Sequence, residues 1–228
     1  MNEPVETLRR RLTGAVVPAI AAALLAALAV MLLVARNGGD EKSASNDVSM
    51  ENCILRNADA VNGAIELQDS NGALVTEADF AGQPAVLYFG FTNCPDICPT
   101  SMYLLAAAQA LPGGYDVQPV LVSVDPTRDT PEVMGLYART EGFPAGLVGL
   151  TGSQAQIDAA KRAFQVHAAR ADIPGAPEGV YNVDHTSFFY VLDGQWRTRS
   201  IVRAHSGVTP EQVAACIAAG LERTDLPA

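Results

Sequence analysis

Two thiols stand four residues apart in the stretch FGFTNCPDICPTSM: Cys94 and Cys98, followed by Pro95 and Pro99. They could bridge each other, exchange disulfides with a partner, or hold a soft metal. At helical spacing their Cα atoms lie about 6 Å apart, near the upper limit of disulfide geometry, so a mutual bridge would be strained and easily reduced. A metal asks less of the backbone, because metal–sulfur bonds near 2.3 Å let the sulfurs stay roughly 4 Å apart. A helix N-terminus close by favours the thiolate, the form that ligates metal or attacks a disulfide.

Two thiolates need a third ligand, and the chain has three histidines. His167 follows a predicted helix and reads as a surface residue. His205 precedes Ser206-Gly207 in a loop and reads as solvated. His185 closes a loop rich in Gly and Pro, 171–182, and opens the apolar run TSFFYVL; Asp184 beside it either orients a ring nitrogen or ends a turn. Two thiolates and one imidazole suit Cu(I), an added oxygen ligand would accommodate Cu(II), and zinc with a bound water also fits the set. The other cysteines, Cys53 and Cys216, lie ahead of the domain and in its last helix. A bridge between them would staple its two ends, since an even cysteine count in an exported domain favours disulfides.

The elements that must position these residues follow from periodicity and punctuation. Ile65, Leu67, Leu74 and Val75 flank Asn71-Gly72, a hairpin signal. The run 85–91 (AVLYFGF) reads as a buried strand and 101–110 as a helix; 117–124 reads as a strand weakened by Pro119. Thr130-Pro131-Glu132 and Thr209-Pro210-Glu211 open helices with a capping hydroxyl and proline in the first turn. Ser153 and Gln156 form a capping box for a helix running to about Ala168, after a short strand at 147–150. Strands at 186–192 and 195–202 turn through Asp193-Gly194, and the order predicts an α/β fold: a thioredoxin-like sheet with flanking helices and an N-terminal hairpin. In such sheets the chemistry gathers beyond the carboxyl ends of the parallel strands, where Cys94 and Cys98 stand.

Residues 15–35 carry no charge and, as a helix, would reach about 31 Å, the thickness of a bilayer's hydrocarbon core. Arg9, Arg10 and Arg11 precede that run, so the rule that basic flanks stay inside predicts export of the C-terminal part. Glu3 and Glu6 speak against a mitochondrial presequence. The expectation is a bacterial inner-membrane protein crossing once, with 1–14 in the cytoplasm, 15–35 as anchor, 36–59 as tether and 60–228 as a folded domain in the periplasm. Residues 1–36 hold four of the 15 basic and two of the 25 acidic residues, leaving 11 basic against 23 acidic in the remainder. That balance excludes nucleic acid as a partner and keeps the domain soluble.

Three blocks together, YFGFTNCPDICPTSM (88–102), SVDPTRDTPEVMGLYA (123–138) and VDHTSFFYVLD (183–193), resemble the Sco/SenC family of copper proteins that help assemble cytochrome c oxidase. They stand in the family's order and spacing, and the similarity covers about residues 60–222. The resemblance implies copper, as Cu(I) and Cu(II), held by Cys94, Cys98 and His185. It also implies the binuclear copper site of oxidase subunit II as the target, with a periplasmic copper donor and a thiol reductant as further partners. Where many relatives carry His before the first cysteine, Asn93 stands here. Asp125 and Asp129 belong to the second block and read as structural, Asp-Pro shaping a turn and Asp129 or Thr130 capping a helix, with contact to the metal site or a partner as the alternative. The competing function is an anchored thiol–disulfide oxidoreductase using Cys94 and Cys98 as its redox pair. Such enzymes generally use C-x-x-C and a cis-proline before the facing strand; here the spacing is C-x-x-x-C, and His185 occupies the second place. A peroxidase-like use of one cysteine has only the fold in its favour. The resemblance therefore implies a metallochaperone, with thiol–disulfide exchange as any enzymatic activity.

Overall fold

The run 85–90 is apolar throughout because it becomes the middle of a sheet. In the computed structural model, which describes residue 31 and residues 49–223, six strands take the order β1-β10-β9-β4-β5-β6. They are β1 Cys53–Ile54, β4 Ala85–Gly90, β5 Gln118–Ser123, β6 Val148–Leu150, β9 Phe188–Leu192 and β10 Thr198–Arg203. β4 pairs in parallel with β5 and antiparallel with β9, so both its edges are bonded and all six residues are buried. β5 can begin with Gln118-Pro119 because the missing N–H costs no ladder bond. The Gln118 N–H bonds toward β4, so residue 119 faces the other edge, where β6 joins only at Val120.

Four helices flank the sheet: α1 Ile97–Gln109, α2 Pro131–Ala138, α3 Gln154–Ala163 and α4 Pro210–Leu221. Thr130, Ser153 and Thr209 cap α2, α3 and α4, each hydroxyl accepting from the third residue on. The expected hairpin is β2 Glu66–Gln68 with β3 Leu74–Thr76, turning where Gly72 takes φ 77°. The sheet's closing strands do form a hairpin, but its turn runs through 193–197, so β10 begins at Thr198 and not at the expected Gln195. A core of aromatic rings, Phe89, Phe164 and Tyr190, packs under the sheet with centroids 5.5–5.9 Å apart.

Other elements also differ from expectation. α1 starts four residues before Ser101, so Cys98 lies inside it. α3 stops at Ala163, not near Ala168, because Gln165 adopts φ 52° and turns the chain. Residues 168–172 then form a strand, β7 (Ala168–Asp172), paired antiparallel with β8 (Tyr181–His185) in a separate two-stranded sheet. His185 therefore ends a strand, and the next begins at Phe188.

β1 lies inside the segment read as tether, 36–59, and a 3-10 turn at Ala58–Ala60 spans its end. A disulfide joins Cys53 of β1 to Cys216 of α4, with Cα atoms 5.6 Å apart, and so staples the two ends of the domain. The predicted anchor, 15–35, lies outside the described residues apart from Met31. Among the described residues no helix is long and apolar enough to cross a membrane.

Candidate metal centre

On the cysteine side, β4 ends at Gly90 and the chain turns through Phe91 to Cys94, whose N–H donates to the Phe91 carbonyl at 3.3 Å. α1 opens three residues later. Asp96 at its N-cap offers no side-chain hydrogen bond; the Cys98 N–H instead donates to Cys94 Sγ at 3.4 Å. The sulfur thus takes one of the first-turn N–H groups that a helix leaves unpaired, and Pro99 removes another. Gly90 makes room for the second sulfur. A Cβ there would lie 2.9 Å from the Tyr88 ring, closer than real Cβ contacts come, and 3.0 Å from Cys98 Sγ, tighter than most.

His185 arrives from β8. Its Nδ1 faces the Thr186 carbonyl at 3.0 Å, and a carbonyl only accepts, which assigns the proton to Nδ1 and leaves Nε2 with a lone pair. Nε2 lies 3.4 Å from Cys98 Sγ. The edges of Phe91 and Tyr88 hold the ring, with centroids 5.7 and 6.1 Å away and planes nearly perpendicular. Asp184 does not orient it: that side chain is exposed, on the opposite face of the strand.

The three ligand atoms of Cys94, Cys98 and His185 lie within 4.8 Å of one another. Donors bound to one ion at about 2.1–2.3 Å can be no more than ~4.6 Å apart, so the group closes on a metal with small side-chain movement. Cys94 is half-buried and Cys98 fully buried, both as free thiols. The hydrogen bond from Cys98 draws the Cys94 thiol down to about 4, opposed by burial and helped by His185 and by the Asp96 and Cys98 N–H groups. The same bond, with burial, pushes Cys98 up. The sulfurs therefore share one proton, which a soft cation bound by both would displace. Two soft sulfurs and one imidazole with a free lone pair fit a borderline or soft cation such as copper or zinc. His167 and His205 are exposed and outside the group, as predicted; His205 instead bonds Asn52 at 3.1 Å.

The two aspartates of the second block do more than shape a turn. Asp129 is fully buried and accepts from the Ser123 hydroxyl at 2.6 Å and from the Thr92 hydroxyl and N–H at 2.6 and 3.2 Å, tying the turn that carries Cys94 to β5. Burial pushes its carboxyl above the usual range, against those hydrogen bonds. Thr130, not Asp129, caps α2 through its side chain. Asp125 accepts from the Tyr181 hydroxyl at 2.8 Å and from Arg128 Nε, so it meets the strand of His185. Arg128 was missed at the level of sequence: nothing in its spacing shows that it reaches across to β8.

A family model for SCO1/SenC matches residues 55–222, well over half of the chain. The chain belongs to the SCO1/SenC family. Protein SenC of Rhodobacter capsulatus is 35% identical over 169 residues, 73% of this chain and 73% of that protein. An SCO2-like protein of Rickettsia prowazekii is 37% identical over 139 residues, 60% of this chain and 66% of its own length. Sco1 of Schizosaccharomyces pombe is 36% identical over 158 residues, 68% and 59% respectively. The chain thus spans less than two thirds of the length of the latter two. Among solved structures, copper-bound ScoI of Bradyrhizobium japonicum superposes with a TM-score of 0.58 at 34% identity, covering 71% of this chain and 99% of that one. Copper-bound ScoI of Arabidopsis thaliana gives 0.60 at 32%, covering 68% and 94%. The mixed α/β fold, a central sheet with flanking helices, is the thioredoxin-like fold of these family members.

Proposed function

We propose that this chain is a copper-binding assembly factor for cytochrome c oxidase, gripping copper with Cys94, Cys98 and His185. It would deliver the ion to the binuclear site of subunit II, or keep that site's thiols reduced. The observation that carries the reading is the convergence of two sulfurs and one lone-paired imidazole in a family whose solved members include copper-bound structures. Cys94 binds first in this scheme, being already thiolate; Cys98 gives up the shared proton; His185 closes the set through Nε2. Loading needs both thiols free, hence a reductant and a copper donor as partners. We further place the chain in a bacterial inner membrane, anchored through 15–35 with its domain in the periplasm. The Cys53–Cys216 disulfide suits such an oxidising compartment.

The test is an anaerobic Cu(I) titration of the reduced full chain, in detergent, against a competing chelator. The parent should bind one ion per chain, and His185→Ala should bind it at least about tenfold more weakly, ~1.4 kcal/mol. Equal, weak binding by both proteins would overturn the three-ligand site.

A second reading rests on the contrast between the half-exposed Cys94 thiolate and the buried Cys98 thiol. Cys94 could attack a partner's disulfide and Cys98 then displace the partner. The Cys94–Cys98 bond would form as the partner gains two electrons and leaves as a dithiol. A reduction potential matched to periplasmic dithiol donors, with exchange that needs no copper, would favour this reading.

A further inference from the structure

We propose that Asp125, Arg128 and Tyr181 form a latch that positions His185 over the cysteine sulfurs, so that opening the latch withdraws the imidazole while both sulfurs stay in place. The inference rests on the three-ligand reading above and deepens it by naming what holds, and what frees, the third ligand.

The β7–β8 hairpin shares no hydrogen-bond ladder with the six-stranded sheet, so side chains must hold it against the domain. At its base the Thr186 N–H donates to the His167 carbonyl at 3.0 Å and the His167 N–H to the Thr186 hydroxyl at 3.1 Å. These bonds close the hairpin on itself beside His185. Its other fixed point is Tyr181, four residues along the strand, or roughly 13 Å away. Residues 181, 183 and 185 share one face, and Val183 between them is buried.

At Tyr181 every kind of contact is used. The hydroxyl donates to Asp125 Oδ1 at 2.8 Å, and the carbonyl accepts from Arg128 Nη1 at 3.0 Å. The Arg128 guanidinium stands 3.7 Å from the ring centre and that of Arg170 4.0 Å, both well within cation–π range. Arg128 is itself fixed, since its Nε donates to the Asp125 carboxylate, whose backbone N–H is held by Ser123 at 3.0 Å. The same guanidinium lies 5.7 Å from the ring centre of Phe91, the residue whose edge packs on His185 and whose carbonyl holds Cys94. Arg128 therefore touches both halves of the site without touching the ligand atoms. It is a positioning residue, and with its contacts gone the strand would be left hinged at its base, directly beside the ligand.

Two mild variants test this in the full chain: Tyr181→Phe, which keeps the ring and loses the bond to Asp125, and Arg128→Lys, which keeps the charge and loses the planar fork. Each is made alone and with His185→Ala. The rate of Cu(I) loss to excess chelator should rise about tenfold in Arg128→Lys and severalfold in Tyr181→Phe, and neither should add anything once His185 is absent. In the copper-free chain, amide exchange at Val183–His185 should quicken by a similar factor while Leu87–Phe89 stay protected, showing an intact fold. Parental copper-loss rates, unchanged exchange in β8, or equal acceleration with and without His185 would each overturn the latch. Parental copper affinity in His185→Ala would instead overturn the ligand set, and that outcome is separate from silent latch variants beside a damaging His185→Ala.

Discussion

The strand leading to the cysteines, β4, is bonded along both edges and buries all six of its residues; the strand that brings His185, β8, pairs only with β7 and buries one residue of five. Cys94 and Cys98 are thus mounted on the turn and helix that follow a core strand, and His185 on an attached arm. A site meant only to keep its ion gains nothing from that inequality. A site that must hand the ion on gains a route: one ligand leaves first while the soft pair retains the cargo. The contrast also separates two free energies. Exchange in β4 should require global unfolding, whereas β8 should need only the hairpin to lift.

The hardest way to break the comparison is to weaken the whole domain. Replacing Cys53 and Cys216 by serine opens a cross-link between residues 163 apart and should lower global stability by about 3–5 kcal/mol in urea unfolding. Amides of β4 should then lose protection about a hundredfold or more, while those of β8 hardly change. Equal losses in both strands would mean that the arm and the core open as one. Next in size is the difference between the sulfurs. With its thiol drawn down to about 4, Cys94 is thiolate across the neutral range. In the reduced, copper-free chain its alkylation rate should stay flat from about pH 8 to pH 6, where an ordinary thiol slows nearly a hundredfold as it protonates. A decline of that ordinary size would remove the division of roles between the thiols, as would alkylation of buried Cys98 at a comparable rate. The smallest effect tests the fit of the core half alone. Gly90→Ala sets a methyl against Cys98 Sγ and the Tyr88 ring and should cost about 2 kcal/mol of stability. β8 exchange should stay as it was; a loosened β8 would show that the arm leans on the sulfur.

The core half was readable in the chain because its elements carry their own signals. The apolar run 85–90 has no place except a doubly bonded strand, and Thr130-Pro131, Ser153 and Thr209-Pro210 start helices where their hydroxyls predict. Cys94, Cys98 and His185 were found by residue type and by resemblance, and the fold brings them together. The arm was not readable. Ala168–Asp172, AARAD, straddles the expected helix end and the start of the expected loop, and becomes a strand because β8 offers it a partner, a case of tertiary pairing overriding propensity. The turn that ends α3 is made by Gln165 at positive φ, a conformation no residue type there announces. β1 is two residues long, and its place in the sheet follows from partners in β10 and from the bridge to α4, neither of them local. Arg128 gains its role only when residues 53 positions apart in the chain meet.

The bridge at Cys53 also has a mechanical meaning. A two-residue strand bonded along one edge would peel off like tape if the chain ahead of it were tugged. Because Cys53 is welded to α4, a pull entering from that direction is shared at once with the helix packed on β9 and β10. The load is spread over β9, β10 and α1, on all of which α4 packs, so the two-residue strand never bears it alone.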